Sequence, residues 1–149
     1  MENNYSILMF ACLKWGYSAA DLAGVSRLKY TPRVKIIKLR CTGRVDVKHL
    51  LFAIKSGADG VMIVGWRPDE CQFKNGNFKA QTHVDLANRI LDRRGLGNQR
   101  INQYWLSGAE SEKLVKSVED MLEKVQRIGP NPLKPIAKKV LTTPAEWIL

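Results

Sequence analysis

Three thiols are the most reactive side chains in this chain: Cys12, Cys41 and Cys71. Each follows a short apolar run. Cys12 closes residues 5–12 (YSILMFAC), Cys41 follows residues 34–39 (VKIIKL), and Cys71 lies six residues past 60–65 (GVMIVG). If these runs are neighbouring parallel strands, their C-terminal ends share one edge, and thiols distant in sequence converge there. A single buried cysteine behaves as a small hydrophobe. Three at one edge, with none elsewhere, point to a shared site. Nucleophilic catalysis needs a base beside the thiol, but His49 and His83 lie inside predicted helices, past the strand ends, where local bonds or solvent satisfy them. Zinc takes four ligands and typically shows a close pair such as Cys-x-x-Cys, and an iron–sulfur cluster takes four thiolates. The residues alone therefore describe an incomplete thiolate site, and they identify no catalytic residue.

The elements that would position those thiols alternate. Ser18, with Asp21 three residues on, reads as a capping box opening a helix over residues 19–29, which ends before Thr31-Pro32. Asp46 is a plausible N-cap for a second helix, whose Val47, Leu50, Leu51 and Ile54 make one apolar stripe. A long helix over residues 78–94 turns Val84, Ala87, Ile90 and Leu91 inward and stops at Gly95-Leu96-Gly97-Asn98. Residues 101–106 form the fourth strand. Ser107 to Glu110 is a second capping box, and the last helix carries Leu114, Val118, Met121, Leu122 and Val125 on one face. Strands separated by helices of this length imply right-handed βαβ units. The expected fold is α/β: a four-stranded parallel sheet in the order 2-1-3-4, with helices on both faces. Residues 1–129 form that domain. Residues 130–149 carry Pro130, Pro132, Pro135 and Pro144 and are expected to be an extended tail that buries Trp147 and Ile148 against another chain.

Composition sets the outer limits. The chain has 149 residues, 45% hydrophobic and 26% charged, enough for one domain with a real core. No apolar run approaches the length of a membrane span. The start, Met1-Glu2-Asn3-Asn4, lacks the basic region of a signal peptide. An odd, small number of cysteines argues against a secreted disulfide framework, so the expected compartment is the cytoplasm. The formal net charge of +10 would suit phosphate contacts. The basic residues are spread along the chain, however, without interleaved aromatics, which favours a solvated basic surface or an acidic protein partner over nucleic acid. The glycines form no phosphate-binding fingerprint.

Four segments carry a family resemblance: ILMFACLKWGYSAADLAGVSRLKYTP, VKIIKLRCTGRVD, GADGVMIVGWRPDECQFKNGN and GAESEKLVKSVEDMLEKVQRIGPNPLK. Together, from residue 5 to about 134, they resemble the delta subunit of methyl-viologen-reducing hydrogenase. Cys-x-Gly-Arg-Val-Asp at 41–46 and Gly-Ala-Asp-Gly-Val at 57–61 are its most specific parts. The resemblance implies an electron-transfer adaptor with a [2Fe-2S] cluster. It also implies partners: a hydrogenase or formate dehydrogenase and a heterodisulfide-reductase-like flavoprotein subunit, in anaerobes that include methanogens.

The departures from that pattern matter as much. The family reads Cys-Cys-x-x-Cys after the first strand, where this chain has Ala11-Cys12-Leu13-Lys14-Trp15. After the third strand it reads Gly-Cys-His-x-Gly-Asp-Cys-His, against Gly65-Trp66-Arg67-Pro68-Asp69-Glu70-Cys71-Gln72 here. Of the family's six cysteines only Cys12, Cys41 and Cys71 remain, and Trp15 and Trp66 stand where thiolates would be. The expectation is a non-catalytic docking subunit of an oxidoreductase complex whose cluster site is degenerate, with cofactor-binding positions Cys12, Cys41 and Cys71 and no resident cluster. The alternative is an electron-transfer subunit whose cluster takes a fourth ligand from Asp69, Glu70, water or a partner.

Overall fold

The computed structural model describes residues 5–31, 33–71 and 73–135. Four strands, β1 (Ile7–Cys12), β2 (Val34–Leu39), β3 (Gly60–Gly65) and β4 (Ile101–Trp105), form one parallel sheet in the order β2-β1-β3-β4. The central strands are the most apolar, as a strand covered on both faces must be, and β3 is buried at every position. Helices α1 (Gly16–Val25) and α4 (Ser111–Ile128) pack together on one face, and α2 (Val47–Lys55) and α3 (Gly76–Arg93) on the other. The fold class, strand order and two-sided helix cover match the sequence reading.

Alternation along the strands divides the core in two. Ile7, Met9, Met62 and Val64 face α1 and α4, where they meet Leu114, Val118, Met121 and Val125. Phe10, Val61, Ile63 and Ile101 face α2 and α3, where they meet Leu50, Ile54, Val84 and Leu91. The predicted stripes on α2 and α4 are therefore the packing faces. On α3, Ile90 is only partly buried, and Ala80 lies in the core with Val84, Ala87 and Leu91.

The first helix departs from expectation at both ends. It starts at Gly16, not after Ser18, with Trp15 at the N-cap and no side-chain cap bond. The chain leaves β1 through a tight turn in which the Leu13 N–H donates to the Leu39 carbonyl. Gly16 then lies so close to the Val64 carbonyl that a Cβ would collide with it. Ser18 is carried into the first turn, its hydroxyl 3.5 Å from the Leu13 carbonyl. The helix also stops four residues early, at Val25. Arg27 turns left-handed, at φ 55°, its N–H donates to Gly24, and the Leu28 N–H donates to Ala23. That is a Schellman close without the glycine that announces one. The second helix keeps its N-cap, Asp46, whose N–H donates to His49 Nδ1 at 3.0 Å. The last helix begins at Ser111, and the Glu110 carboxylate accepts the Ser107 N–H at 2.6 Å.

At the N-terminal end of the sheet a fully buried carboxylate ties four segments together. Asp59 accepts from the Ser6 N–H at 2.7 Å, the Asn131 N–H at 2.8 Å and the Lys134 ammonium at 2.6 Å. Its carbonyl takes a bond from the buried Arg100 guanidinium at 2.9 Å. The Asn131 amide also donates to the Ile54 and Ala58 carbonyls, both at 2.7 Å. Residues 131–134 are thus bound to the domain. The rest of the expected tail, from residue 136, lies outside the described residues, including Trp147 and Ile148.

Burial alone would push the Asp59 carboxyl up, but the Asn131 and Ser6 donors and the Lys134 ammonium outweigh it and hold the group below the ordinary aspartate value. A carboxyl lowered in the folded state stabilises the fold above its unfolded value of about 3.9 and loses that contribution as pH falls through the folded value. Asp59→Asn is expected to cost about 2–3 kcal/mol at neutral pH, by removing charge-assisted bonds from a buried site. Urea denaturation at pH 7 and pH 3 checks this: the gap between wild type and variant should narrow at the lower pH.

Candidate functional site

The polarity of the sheet places the ends of β1, β2 and β3 along one edge, and the chain reverses direction between β1 and β3. At such a point the loops on either side diverge and leave room for a site. Each thiol lies at this edge. Cys12 ends β1 and is buried, with its sulfur 3.5 Å from the Gly16 N–H. Cys41 caps a single turn of 3-10 helix (Thr42–Arg44), and its sulfur accepts the Gly43 N–H at 3.4 Å. Cys71 lies in the loop between β3 and α3 and is buried.

Cys41 and Cys71 meet at the first turn of α3. A Cβ on Gly76 would overlap the Cys41 sulfur and lie 3.4 Å from that of Cys71. On Gly43 it would lie 2.8 Å from the Gly76 Cα. Two glycines thus let the loop after β2 press against the start of α3, and this close backbone approach sets the two sulfurs side by side. Burial raises the Cys41 thiol above its ordinary value; the Gly43 N–H opposes that, and the neighbouring Cys71 and Cys12 add to it. All three are free thiols. The histidines are engaged elsewhere: His49 in the α2 cap, and His83 with its Nδ1 2.7 Å from the Val45 carbonyl. Among the described residues, no three His, Cys, Asp or Glu side chains are grouped closely enough to hold a metal ion.

Tryptophans occupy the neighbouring positions. The Trp15 and Trp66 rings meet edge to face with centroids 4.9 Å apart. Trp15 also lies against Gly108, where a Cβ would strike its ring. The indole nitrogens of Trp15 and Trp105 are buried without a partner among the described residues. The loop bearing Trp66 is held by Asn77, fully buried, whose side-chain amide donates to the Arg67 carbonyl at 2.8 Å and whose main-chain carbonyl accepts from the Gln103 side-chain amide at 3.0 Å. From outside, the Arg67 guanidinium pairs with Glu110. Asn77, Gly76 and Gly43 are the residues that sequence reasoning missed. A polar Asn at the start of an amphipathic helix, directly after Asn75-Gly76, was the available signal.

Comparison with known proteins fits this layout. The sequence pattern of the family described as methyl-viologen-reducing hydrogenase, delta subunit, matches residues 7–129. The chain belongs to the methyl-viologen-reducing hydrogenase delta subunit family. It is 45% identical to the iron-sulfur subunit of the vhu F420-non-reducing hydrogenase of Methanocaldococcus jannaschii, over 86% of this chain and 96% of that protein. It is 37% identical to the corresponding protein of Methanopyrus kandleri, over 87% of this chain and 98% of that one. It is also 36% identical to a subunit of the ferredoxin/F(420)H(2)-dependent CoB-CoM heterodisulfide reductase of Methanosarcina acetivorans, over 83% of this chain but 16% of that longer protein. In this member of the delta subunit family the donor set is three thiols, where an all-cysteine [2Fe-2S] cluster takes four. The Trp15 and Trp66 indoles pack together at the same edge, and three thiols alone do not complete an ordinary four-thiolate site.

Gly76→Ala tests the contact that aligns the sulfurs. Alanine would by itself favour the helix by about 0.5–1 kcal/mol. The overlap with the Cys41 sulfur should reverse the sign and cost about 1–3 kcal/mol. Chemical denaturation measures the net effect, and reaction with a disulfide reagent should be faster at Cys41 in the variant because its sulfur is displaced from the first turn of α3.

Proposed function

We propose that this chain is a non-catalytic docking subunit of a hydrogenase and heterodisulfide-reductase type of redox complex, with a degenerate cluster site. Membership of the delta subunit family makes it a component associated with such complexes. The finer reading, an adaptor without a cluster, rests on one observation. Three thiols remain, and the Trp15–Trp66 pair stands as a close-packed aromatic contact at the same edge. Each such indole is bulky enough to fill the space of a small cluster. The partners proposed are a hydrogenase or formate dehydrogenase and a heterodisulfide-reductase-like flavoprotein subunit, in the cytoplasm. No helix among the described residues is long and apolar enough to cross a membrane.

In this reading the chain's own residues build a rigid edge. Asn77 and the Arg67–Glu110 pair fix the loop after β3, and Gly43 and Gly76 lock the loop after β2 to α3. A rigid edge can be docked against with little ordering cost. A second reading, an electron-transfer subunit with a [2Fe-2S] cluster and a non-cysteine fourth ligand, is favoured by the neighbouring Cys41 and Cys71 sulfurs and by relatives named iron-sulfur subunits.

Anaerobic purification followed by visible absorption and iron and sulfide analysis separates the two. The adaptor reading expects a colourless chain. About two irons and two acid-labile sulfides per chain, the content of one [2Fe-2S] cluster, would replace it with the electron-transfer reading. The paired variant Trp15→Cys and Trp66→Cys should acquire a chromophore on reconstitution with iron and sulfide, while the parent stays without one. Removing two part-buried indoles should also cost on the order of 3 kcal/mol each, so reconstitution is best done cold.

A further inference from the structure

The adaptor reading leaves two sulfurs side by side with no task. Cys41 and Cys71 lie against the first turn of α3, their thiols within hydrogen-bonding reach of each other. Cysteines brought this close from separate loops serve either as ligands of one metal centre or as the two halves of a disulfide. The first use calls for more donors than are grouped here: among the described residues no three His, Cys, Asp or Glu side chains are placed to hold a metal ion. The second needs only these two.

The surroundings of the two sulfurs give them different parts. Cys41 is partly exposed, and its sulfur accepts the Gly43 N–H at 3.4 Å, a bond that supports a thiolate there. Cys71 is buried beside it, 9% exposed. Cys12 is sealed at 1% exposure, with its sulfur on the Gly16 N–H. A reagent from solvent therefore meets Cys41 first, and Cys71 is the thiol poised to follow. A disulfide brings the sulfurs to about 2 Å, so one loop must give. On either side of Cys71, Asp69 and Lys74 hold left-handed backbone, at φ 66° and 63°. Non-glycine residues keep that conformation only under constraint, which makes this loop the one that yields as the sulfurs close.

We propose that Cys41 and Cys71 form a redox-active dithiol, a thiol–disulfide exchange site whose co-reactant is a low-molecular-weight disulfide. Cys41, having lost its proton to solvent, attacks one sulfur of the small disulfide. That S–S bond breaks, one small thiolate leaves, and Cys41 is held as a mixed disulfide. Cys71, deprotonated in turn, attacks the Cys41 sulfur, the mixed S–S bond breaks and the second small thiolate leaves. Two cysteine thiols are oxidised by two electrons, the small disulfide is reduced to two thiols, and the two protons end on those thiols. The new bond ties the loop after β2 covalently to the loop after β3. The proposal rests on the adaptor reading, because a resident cluster would hold both sulfurs.

The full-length chain, purified anaerobically, is first assayed for iron and acid-labile sulfide and then incubated with glutathione disulfide. Remaining thiols are alkylated and the chain is weighed and peptide-mapped by mass spectrometry. Alkylatable thiols are expected to fall from three to one, at Cys12, with a Cys41–Cys71 crosslink within a single chain. Cys71→Ala should stop at one glutathione adduct on Cys41. Cys41→Ser should give neither crosslink nor adduct. Gly76→Ala, which displaces the Cys41 sulfur, should accumulate the mixed disulfide that wild type resolves. An iron-free chain that keeps three alkylatable thiols would overturn the exchange site and leave the adaptor reading standing. So would a wild-type chain that stops at the Cys41 adduct, a crosslink through Cys12, or one between two chains. A chain that carries iron and sulfide would overturn the adaptor reading and the exchange site together.

Discussion

A single buried carboxylate organises the lower end of this domain. Asp59 is enclosed at the start of β3, and its bonds reach the start of β1 through Ser6 and the segment after α4 through Asn131 and Lys134. Arg100, buried at the start of β4, reaches its carbonyl. A charge taken out of water is tolerated only when its lone pairs are met, and here backbone donors and an ammonium meet them. Because those donors come from segments far apart in sequence, one side chain ties the start of β1 to the exit path of the chain after α4.

The architecture was legible because the signals were of the strong kind. Apolar runs of strand length alternate with helices of clear periodicity, and the stripes on α2 and α4 name their own buried faces. Placing Cys12, Cys41 and Cys71 along one edge needed only the parallel topology. Less legible were features decided by close approach. Nothing in the pattern of Ser18 and Asp21 announces that Gly16 must meet the Val64 carbonyl and so start α1 early. Nor does Arg27 look like a helix stop, since a left-handed close normally carries glycine. Asp59 sits inside the Gly-Ala-Asp-Gly-Val motif that marked the family, yet its role is set by Asn131, seventy-two residues away. Likewise, the neighbourhood of Cys41 and Cys71 depends on the mutual approach of Gly43 and Gly76, which spacing along a chain does not encode.

The candidate site has two halves of different character. One half is thiol: Cys41 and Cys71 against the first turn of α3, with Cys12 buried under the first turn of α1. The other half is aromatic: Trp15 against Trp66, with Trp105 angled edge-on to Phe78 at 6.5 Å. Indoles add apolar contact and edge-to-face attraction, whereas thiolates bring charge that the burial around Cys41 opposes. The Arg67–Glu110 ion pair lies at the rim of that edge.

The parallel sheet separates these responsibilities in space. Six residues of strand, about 20 Å, lie between the Asp59 cluster and the loops that carry cysteine and tryptophan. Substitutions at such separation contribute independently to stability. The upper loops can therefore exchange thiols for indoles without loosening the clamp beneath, and the clamp can be weakened without altering which donors the loops present. In engineering terms the domain is a chassis with an interchangeable head: changing what the head holds is a matter of a few loop positions, while the strand order, the helix packing and the route of the chain out of the fold remain as they are.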